Sequence, residues 1–194
     1  MCTRRQSACS REIGVSALAT QEDYGWVHDV LFEAACVTAV AGGTRDGVLA
    51  AFGADGSVEV PVEDAFADEA DYVSVAEVPG GAIAVEHNGF RGSLPEVLVR
   101  VAGGGVTASM FWNVNDLTAF SCVRDGVVVA TVDMYDADQA DNVDLPDELR
   151  ELFASADRDD ADLHATGMAM VETFTGVKVP ADVVESMTTA HPIG

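Results

Sequence analysis

The chain has 194 residues, of which 48% are hydrophobic and 22% charged, a composition typical of a globular domain. Asp and Glu number 33 against 10 Lys and Arg, so the formal net charge is −23. A surface this negative repels phosphate groups, which argues against direct binding to nucleic acid or to an anionic membrane. The same charge favours a basic protein as partner.

The cysteines and the N-terminus bear on the cellular compartment. Cys2, Cys9, Cys36 and Cys122 show no spacing typical of a zinc site, and the last two lie in apolar runs expected to be buried. Arg4 and Arg5 are not followed by the apolar stretch of a signal peptide, and no run approaches the roughly 20 apolar residues of a membrane span. The sequence therefore predicts a cytoplasmic protein.

The predicted elements begin after a flexible N-terminal tail, residues 1–21, which carries few apolar anchors. Apolar residues at helical spacing predict an amphipathic helix over residues 26–34. A short strand follows at residues 36–42. A short helix is predicted between Thr44, its N-cap, and Gly53, its stop.

The middle of the chain predicts antiparallel strands. A brief strand at residues 57–64, broken by Pro61, precedes a hairpin whose turn is Pro79-Gly80-Gly81. Asn88 and Gly89 then form a turn that leads into a helix over residues 94–101. Ser93 and Glu96 have the spacing of a capping box at the start of that helix.

The second half predicts three more strands and then helices. The strands lie within residues 106–134, where Asp125-Gly126 is a hairpin signal. Helices follow at residues 145–155 and 159–175, with Gly176 as the stop of the second, and a last helical turn begins near Pro180. The segment 133–162 is strongly acidic, with twelve acids and two arginines.

This order predicts one α+β domain over residues 22–194. The expected architecture is a mainly antiparallel sheet of five to six strands, with helices before, between and after the hairpins. Consecutive hairpins favour antiparallel pairing, and helices grouped toward the ends argue against a doubly wound sheet.

Two polar clusters are candidate contacts for a ligand or partner. One follows a strand end and the other adjoins a tryptophan, and their residues are Glu86, Asn88, Arg91, Trp112, Asn113 and Asn115. Each cluster also suits a purely structural role, as turn residues satisfying backbone groups. If the flanking strands are neighbours in the sheet, the clusters face each other and form a polar pocket walled by Trp112.

Recognisable catalytic and cofactor motifs are absent from the sequence. No nucleophile elbow, phosphate-binding loop or dinucleotide fingerprint occurs, so no catalytic residue and no cofactor is predicted. Asp136, Asp138 and Asp141 do not fit the calcium loop of an EF-hand. Asp160 and His164 have a spacing that suits a metal pair on a helix, but further ligands are lacking nearby, so no metal site is predicted.

Residues 82–133 carry a distinctive series of motifs. An apolar strand ends in Glu86, then come Asn88-Gly89, Gly92 with Pro95-Glu96-Val97-Leu98, a glycine-rich stop, and Asn113-Val114-Asn115 before a hairpin containing Phe120. In these positions the chain resembles DUF6461, an actinobacterial family of uncharacterised proteins, over roughly residues 24–180. It departs from the family at Gly81-Ala82 and in the acidity after Asp133. The resemblance implies one intact domain and no assigned catalytic residues.

These features leave three functions open. The first is an acidic cytoplasmic module that binds a basic protein, in the manner of an immunity or antitoxin-like protein. The second is a small-ligand-binding protein or enzyme that uses a pocket near Glu86, Asn88, Trp112 and Asn115. The third is a mimic of DNA charge. The oligomeric state is not predicted.

Overall fold

Strand β1, Ala35–Ala41, is the centre of the sheet and is buried along most of its length. Its small and β-branched residues suit a strand covered on both faces. It pairs antiparallel with β4, Gly81–His87, on one side and with β5, Val106–Trp112, on the other. The structure is a computed structural model that describes residues 18–31, 33–66, 70–142 and 144–194, with the backbone alone at 139–142.

The other strands of the described residues are β2 Val60–Pro61, β3 Tyr72–Val78, β6 Thr118–Arg124, β7 Val127–Asp133 and β8 Thr189–Pro192. Together with β1, β4 and β5 they form one antiparallel sheet in the order β2-β8-β3-β4-β1-β5-β6-β7. The predicted hairpin turns are confirmed: β3 joins β4 through Gly80, and β6 joins β7 through Asp125 and Gly126, all three with positive φ.

The prediction of five to six strands is wrong, since the described part of the chain forms eight. The α+β class and the single domain stand. Strand β8 has only four residues, ends in Pro192 and shows no alternation, so no local pattern marks it. It is extended because it pairs with β3 on one side and with the two-residue β2 on the other.

Helices cover both faces of the sheet. The α-helices are α1 Val27–Val30, α2 Arg45–Phe52, α3 Val62–Ala65, α4 Pro95–Ala102, α5 Asp147–Ser155, α6 Leu163–Thr175 and α7 Ala181–Glu185, and the 3-10 helices are Gln21–Tyr24, Arg91–Ser93 and Met134–Asn142. Helices α5 and α6 share one face with the first 3-10 helix, and α2 and α4 lie on the other. Within the described ranges, none of the helices has the length and apolar character that crossing a membrane requires.

The N-terminal elements depart from the prediction. The helix expected at 26–34 is limited to α1, because Leu31 is already extended (φ −104°, ψ 149°) and the chain soon enters β1. The predicted tail, residues 1–21, lies outside the described residues up to residue 17, as do Cys2 and Cys9. Cys36 and Cys122 are buried free thiols, as predicted.

Helix α4 also begins differently from the prediction. Its N-cap is Leu94 and its first residue is Pro95, whose missing N–H is harmless there. The Ser93 hydroxyl donates instead to the carbonyl of Phe90 at 2.7 Å, within the turn that precedes the helix. The predicted capping box is therefore not formed.

A buried tyrosine fixes the N-terminal segment to α6. The Tyr24 hydroxyl donates to Oε2 of Glu172 at 2.6 Å and accepts from the backbone N–H of Val179 at 3.2 Å. Burial, followed by the hydrogen bond to Glu172, raises the pKa of Tyr24, so it stays neutral. This hydrogen bond attaches the segment that precedes α1 to the last turn of α6.

Candidate functional site

A cleft of about 640 Å³ lies between the segment that carries α1 and the ends of β4 and β5. Its apolar walls are formed by Val27, Val30, Leu31, Ala34, Phe66, Trp112 and Val114. Its polar groups are His28, Asp29, Glu33, Asn88 and His164. A concave surface that combines apolar walls with a few polar groups is a feature of small-ligand sites.

Trp112 and His164 form one end of the cleft. The two rings are stacked, with centroids 4.8 Å apart and planes inclined by 20°. Trp112 is the last residue of β5 and is almost fully buried. His164 is in the first turn of α6, so the stack joins the sheet to the helix and fixes the orientation of the imidazole.

His28 and Asp162 lie beside this stack. Nε2 of His28 is 3.0 Å from Oδ2 of Asp162, and the rings of His28 and His164 are 5.0 Å apart. Asp162 is the N-cap of α6, where its other oxygen, Oδ1, accepts from the N–H of Ala165 at 3.0 Å. The ligand atoms of the two histidines and Asp162 all lie within 4.8 Å of one another, a spacing that can hold a metal ion.

His164 is suited to act as a neutral base or ligand. Burial, and then the neighbouring His28, lower its pKa, while Asp162 acts in the opposite direction. Its Nδ1 is buried, and within the described ranges no group forms a hydrogen bond with that atom. A buried nitrogen of this kind is costly unless it has a function or a bound group.

Two of the predicted site residues, Asn88 and Trp112, line the cleft. Asn88 adopts a positive φ of 59°, a conformation that asparagine tolerates better than most residues. Its backbone N–H donates to the carbonyl of Ala34 at 2.9 Å, which closes the end of the β4–β1 pair beside the cleft.

Glu86 and Arg91 lie away from the cleft. Glu86 is beneath the 3-10 helix Arg91–Ser93, of which Arg91 is the first residue. The Glu86 carboxylate is fully buried and accepts from the backbone N–H groups of Arg91 at 2.8 Å and Gly92 at 2.6 Å. Burial is the main reason that its pKa rises to about 7, and these two hydrogen bonds oppose the rise. The Arg91 side chain turns to Asp71, with Nε 2.7 Å from Oδ2.

The glycines of this turn approach the Glu86 side chain closely. A Cβ atom at Gly89 would lie 2.8 Å from Cβ of Glu86, and one at Gly92 would lie 2.8 Å from Oε2. The series Glu86, Gly89, Gly92 therefore encodes a backbone loop that encloses a buried carboxylate.

Asn113 and Asn115 form the turn between β5 and β6. Oδ1 of Asn113 accepts from the N–H groups of Asn115 at 2.9 Å and Leu117 at 3.3 Å, and Asn115 is exposed. Strand β1 separates β4 from β5, so the condition under which the two polar clusters would face each other is not met. The six predicted residues occupy three separate places.

The model of a family of unknown function, DUF6461, matches residues 17–190, which is most of the chain. The chain belongs to the DUF6461 family. The resemblance seen in the sequence is thereby confirmed, and the matched region contains both the enclosed Glu86 and the cleft. No curated protein and no solved structure matches this DUF6461 chain.

The sequence did not point to His28, Asp162 or Phe66 as parts of a site in this DUF6461 protein. His28 and Asp162 are 134 residues apart in the chain and meet because the first segment packs on α6, where the hydrogen bond from Tyr24 to Glu172 is one of its contacts. The one available signal was His164, which the spacing to Asp160 had singled out. In the structure the carboxylate grouped with His164 is that of Asp162, the N-cap of α6, and not that of Asp160.

Proposed function

We propose that this DUF6461 protein binds a small organic ligand in the cleft beside Trp112 and His164. The observation that carries the proposal is the cleft itself, whose volume of about 640 Å³ falls within the range of small-molecule sites. Its end is formed by a stacked indole and imidazole held rigidly between sheet and helix. Rigid walls reduce the ordering cost of binding.

The charge of the rim favours a cationic ligand with an apolar or aromatic body. Asp29 and Glu33 are exposed carboxylates at the cleft, on a chain whose net charge is −23. Val27, Val30 and Leu31 provide the apolar contacts on the same side. An acidic rim around an apolar cavity attracts an amine and repels a carboxylate or phosphate.

A thermal-shift screen with paired aromatic amines and aromatic carboxylates tests this function. We expect an amine at about 100 times its Kd to raise the unfolding temperature by roughly 5 °C or more, and the matched carboxylates to have no effect. Val30→Trp, which fills the cleft, abolishes the shift. Glu33→Gln weakens binding about threefold, and Glu96→Gln, on the opposite face, leaves it unchanged.

Two results would contradict ligand binding in the cleft. One is a hit whose affinity is the same in wild type and Val30→Trp. The other is a screen in which no amine binds, although the purified protein unfolds cooperatively.

A second candidate function is binding to a basic protein, in the manner of an immunity or antitoxin-like protein. The observation that favours it is that carboxylates pair with several arginines and neutralise their positive charge. Four arginines are each paired with a carboxylate, in the pairs Arg45–Glu59, Arg91–Asp71, Arg124–Glu148 and Arg150–Asp147. The loop between α5 and α6 presents the exposed carboxylates of Asp157, Asp159 and Asp160, with the exposed Arg158 between the first two.

Affinity capture from host lysate at low and high salt tests the second function. We expect one stoichiometric basic partner at about 50 mM salt that is lost at about 500 mM, since screening removes contacts between exposed charges. Asp157→Asn/Asp159→Asn reduces the capture, and the matched pair Glu63→Gln/Asp64→Asn does not. Capture that persists at high salt, or that both pairs affect equally, contradicts this function.

A further inference from the structure

Three side chains from distant parts of the chain converge at the end of the cleft. His28 belongs to α1, Asp162 is the N-cap of α6, and His164 is in the first turn of that helix. Each offers one ligand atom, and these atoms all lie within 4.8 Å of one another. The closest pair is Nε2 of His28 and Oδ2 of Asp162, 3.0 Å apart.

These separations suit a tetrahedral metal ion once the three ligand atoms move closer together. Zinc bonds of about 2.0–2.1 Å place two ligand atoms roughly 3.3 Å apart. The His28–Asp162 pair is already at 3.0 Å. The widest separation, up to 4.8 Å, must shorten by up to about 1.5 Å, which side-chain rotation can provide.

The surroundings orient the ligands as metal sites require. The imidazole of His164 is held by its stack on Trp112, and Asp162 is held by the hydrogen bond from Ala165 N–H to Oδ1, which leaves Oδ2 directed to His28. Contacts of this kind fix the first ligands and raise metal affinity. Nδ1 of His164 is buried and has no hydrogen-bond partner in the described part of the chain, so a bound group at this nitrogen would satisfy it.

The charge around the three residues favours a cation. Asp29 and Glu33 lie at the rim of the cleft that His28 and His164 line. Asp160 lies in a neighbouring surface depression that His28, Asp162 and His164 also line. Two imidazoles and one carboxylate are typical ligands for Zn²⁺ and other divalent transition metals, whereas Ca²⁺ and Mg²⁺ prefer oxygen alone.

We propose that His28, Asp162 and His164 bind one divalent transition-metal ion, with Zn²⁺ the best fit, at the Trp112 end of the cleft. Three protein ligands leave a fourth coordination position for water or for a donor atom of a ligand. The metal site goes beyond organic-ligand binding and does not depend on it, because the metal alone is the probe.

Calorimetric titration of the chelator-treated full chain with Zn²⁺ tests the site. We expect one ion per chain with a Kd in the micromolar range or below. Asp162→Asn and His164→Gln each weaken binding by at least about 100-fold. Asparagine is as good an N-cap as aspartate, so Asp162→Asn keeps the start of α6 intact.

Matched controls separate this site from general attraction to acids. Asp160→Asn removes a neighbouring charge and should change the Kd by less than about threefold. A tenfold excess of Mg²⁺ should not compete. Since Cys2 and Cys9 are also possible zinc ligands, the same titrations are repeated in a Cys2→Ser/Cys9→Ser background, where the loss in Asp162→Asn and His164→Gln must persist.

Three results would overturn the metal site. They are absence of stoichiometric binding, binding that the two ligand variants leave unchanged, and binding that disappears in the serine background. The unfolding temperature of each metal-free variant is measured in parallel, so that a folding defect is distinguished from a lost ligand. Zinc binding without any amine hit leaves the metal site standing and contradicts only the organic ligand.

Discussion

Gly92→Ala is expected to destabilise the fold by about 3 kcal/mol, although it adds only one methyl group. Gly92 is buried in the 3-10 helix that crosses the sheet above Glu86. A Cβ atom there would lie 2.4 Å from Oγ1 of Thr38, 2.8 Å from Oε2 of Glu86 and 3.1 Å from Sγ of Cys36. The first two separations are shorter than any normal contact, so the turn must move away from the sheet.

That movement also damages a hydrogen bond. The N–H of Gly92 donates to Glu86 at 2.6 Å, and lifting the turn lengthens this contact while Glu86 remains buried. Overpacking costs about 1–3 kcal/mol, and a weakened hydrogen bond to a buried carboxylate adds about 1–3 kcal/mol. The two effects reinforce each other because the same atoms are involved.

Urea unfolding of Gly92→Ala and of a matched control, Gly25→Ala, measures the effect. Gly25 has a helical φ of −58°, and a Cβ there would meet its nearest neighbour at an ordinary 3.9 Å, so a change within about 0.5 kcal/mol is expected. Thr38→Ala removes the closest clash and should recover part of the loss in the double variant. Equal stability of the two glycine variants would show that the turn is not closely packed on Glu86.

Local signals explain how much of the fold the sequence revealed. The hairpins β3–β4 and β6–β7 were predictable because their turns need residues that tolerate positive φ, which Gly80, Asp125 and Gly126 provide. Helix α6 was predictable because apolar spacing and Gly176, in the left-handed conformation, define its course and its end. Strand β8 was not, because its extended form depends on partners distant in sequence.

The candidate site was harder to predict from the sequence for the same reason. Asn88 and Trp112 stand out in the sequence, but only the order β4-β1-β5 shows that a strand separates the elements that carry them. His28 carries no local signal at all. Its position at the cleft results from tertiary packing of the first segment on α6, which includes the Tyr24–Glu172 hydrogen bond between residues far apart in the chain.

Adjacent residues at the end of β4 should give opposite dependences of stability on pH. Burial raises the pKa of Glu86 from 4.5 to about 7. Between these values the folded chain keeps a proton that the unfolded chain has lost. The contribution of Glu86 to the free energy of unfolding is therefore at its full value below pH 4.5. It falls by about 3 kcal/mol in total as pH rises through about 7.

His87 changes stability in the other direction. Its ring packs near Phe66, with centroids 5.5 Å apart, and burial lowers its pKa from 6.5 to about 4. Between these values the unfolded chain binds a proton that the folded chain lacks. The contribution of His87 to the free energy of unfolding is at its full value above pH 6.5. It falls, again by about 3 kcal/mol, as pH decreases through about 4. The two dependences offset each other between pH 4.5 and 6.5.

Single variants should separate these opposing contributions. Relative to wild type, Glu86→Gln should gain about 3 kcal/mol of unfolding free energy as pH rises from 4.5 to 7.5, and His87→Gln should lose about as much from pH 4 to 6.5. Urea unfolding at half-unit pH intervals measures both, and differences from wild type cancel the titration of the other carboxylates. The double variant should follow the wild-type slope. A pH-independent difference for Glu86→Gln would mean that the enclosed carboxylate is ionised throughout, with the backbone N–H groups of Arg91 and Gly92 compensating for its burial.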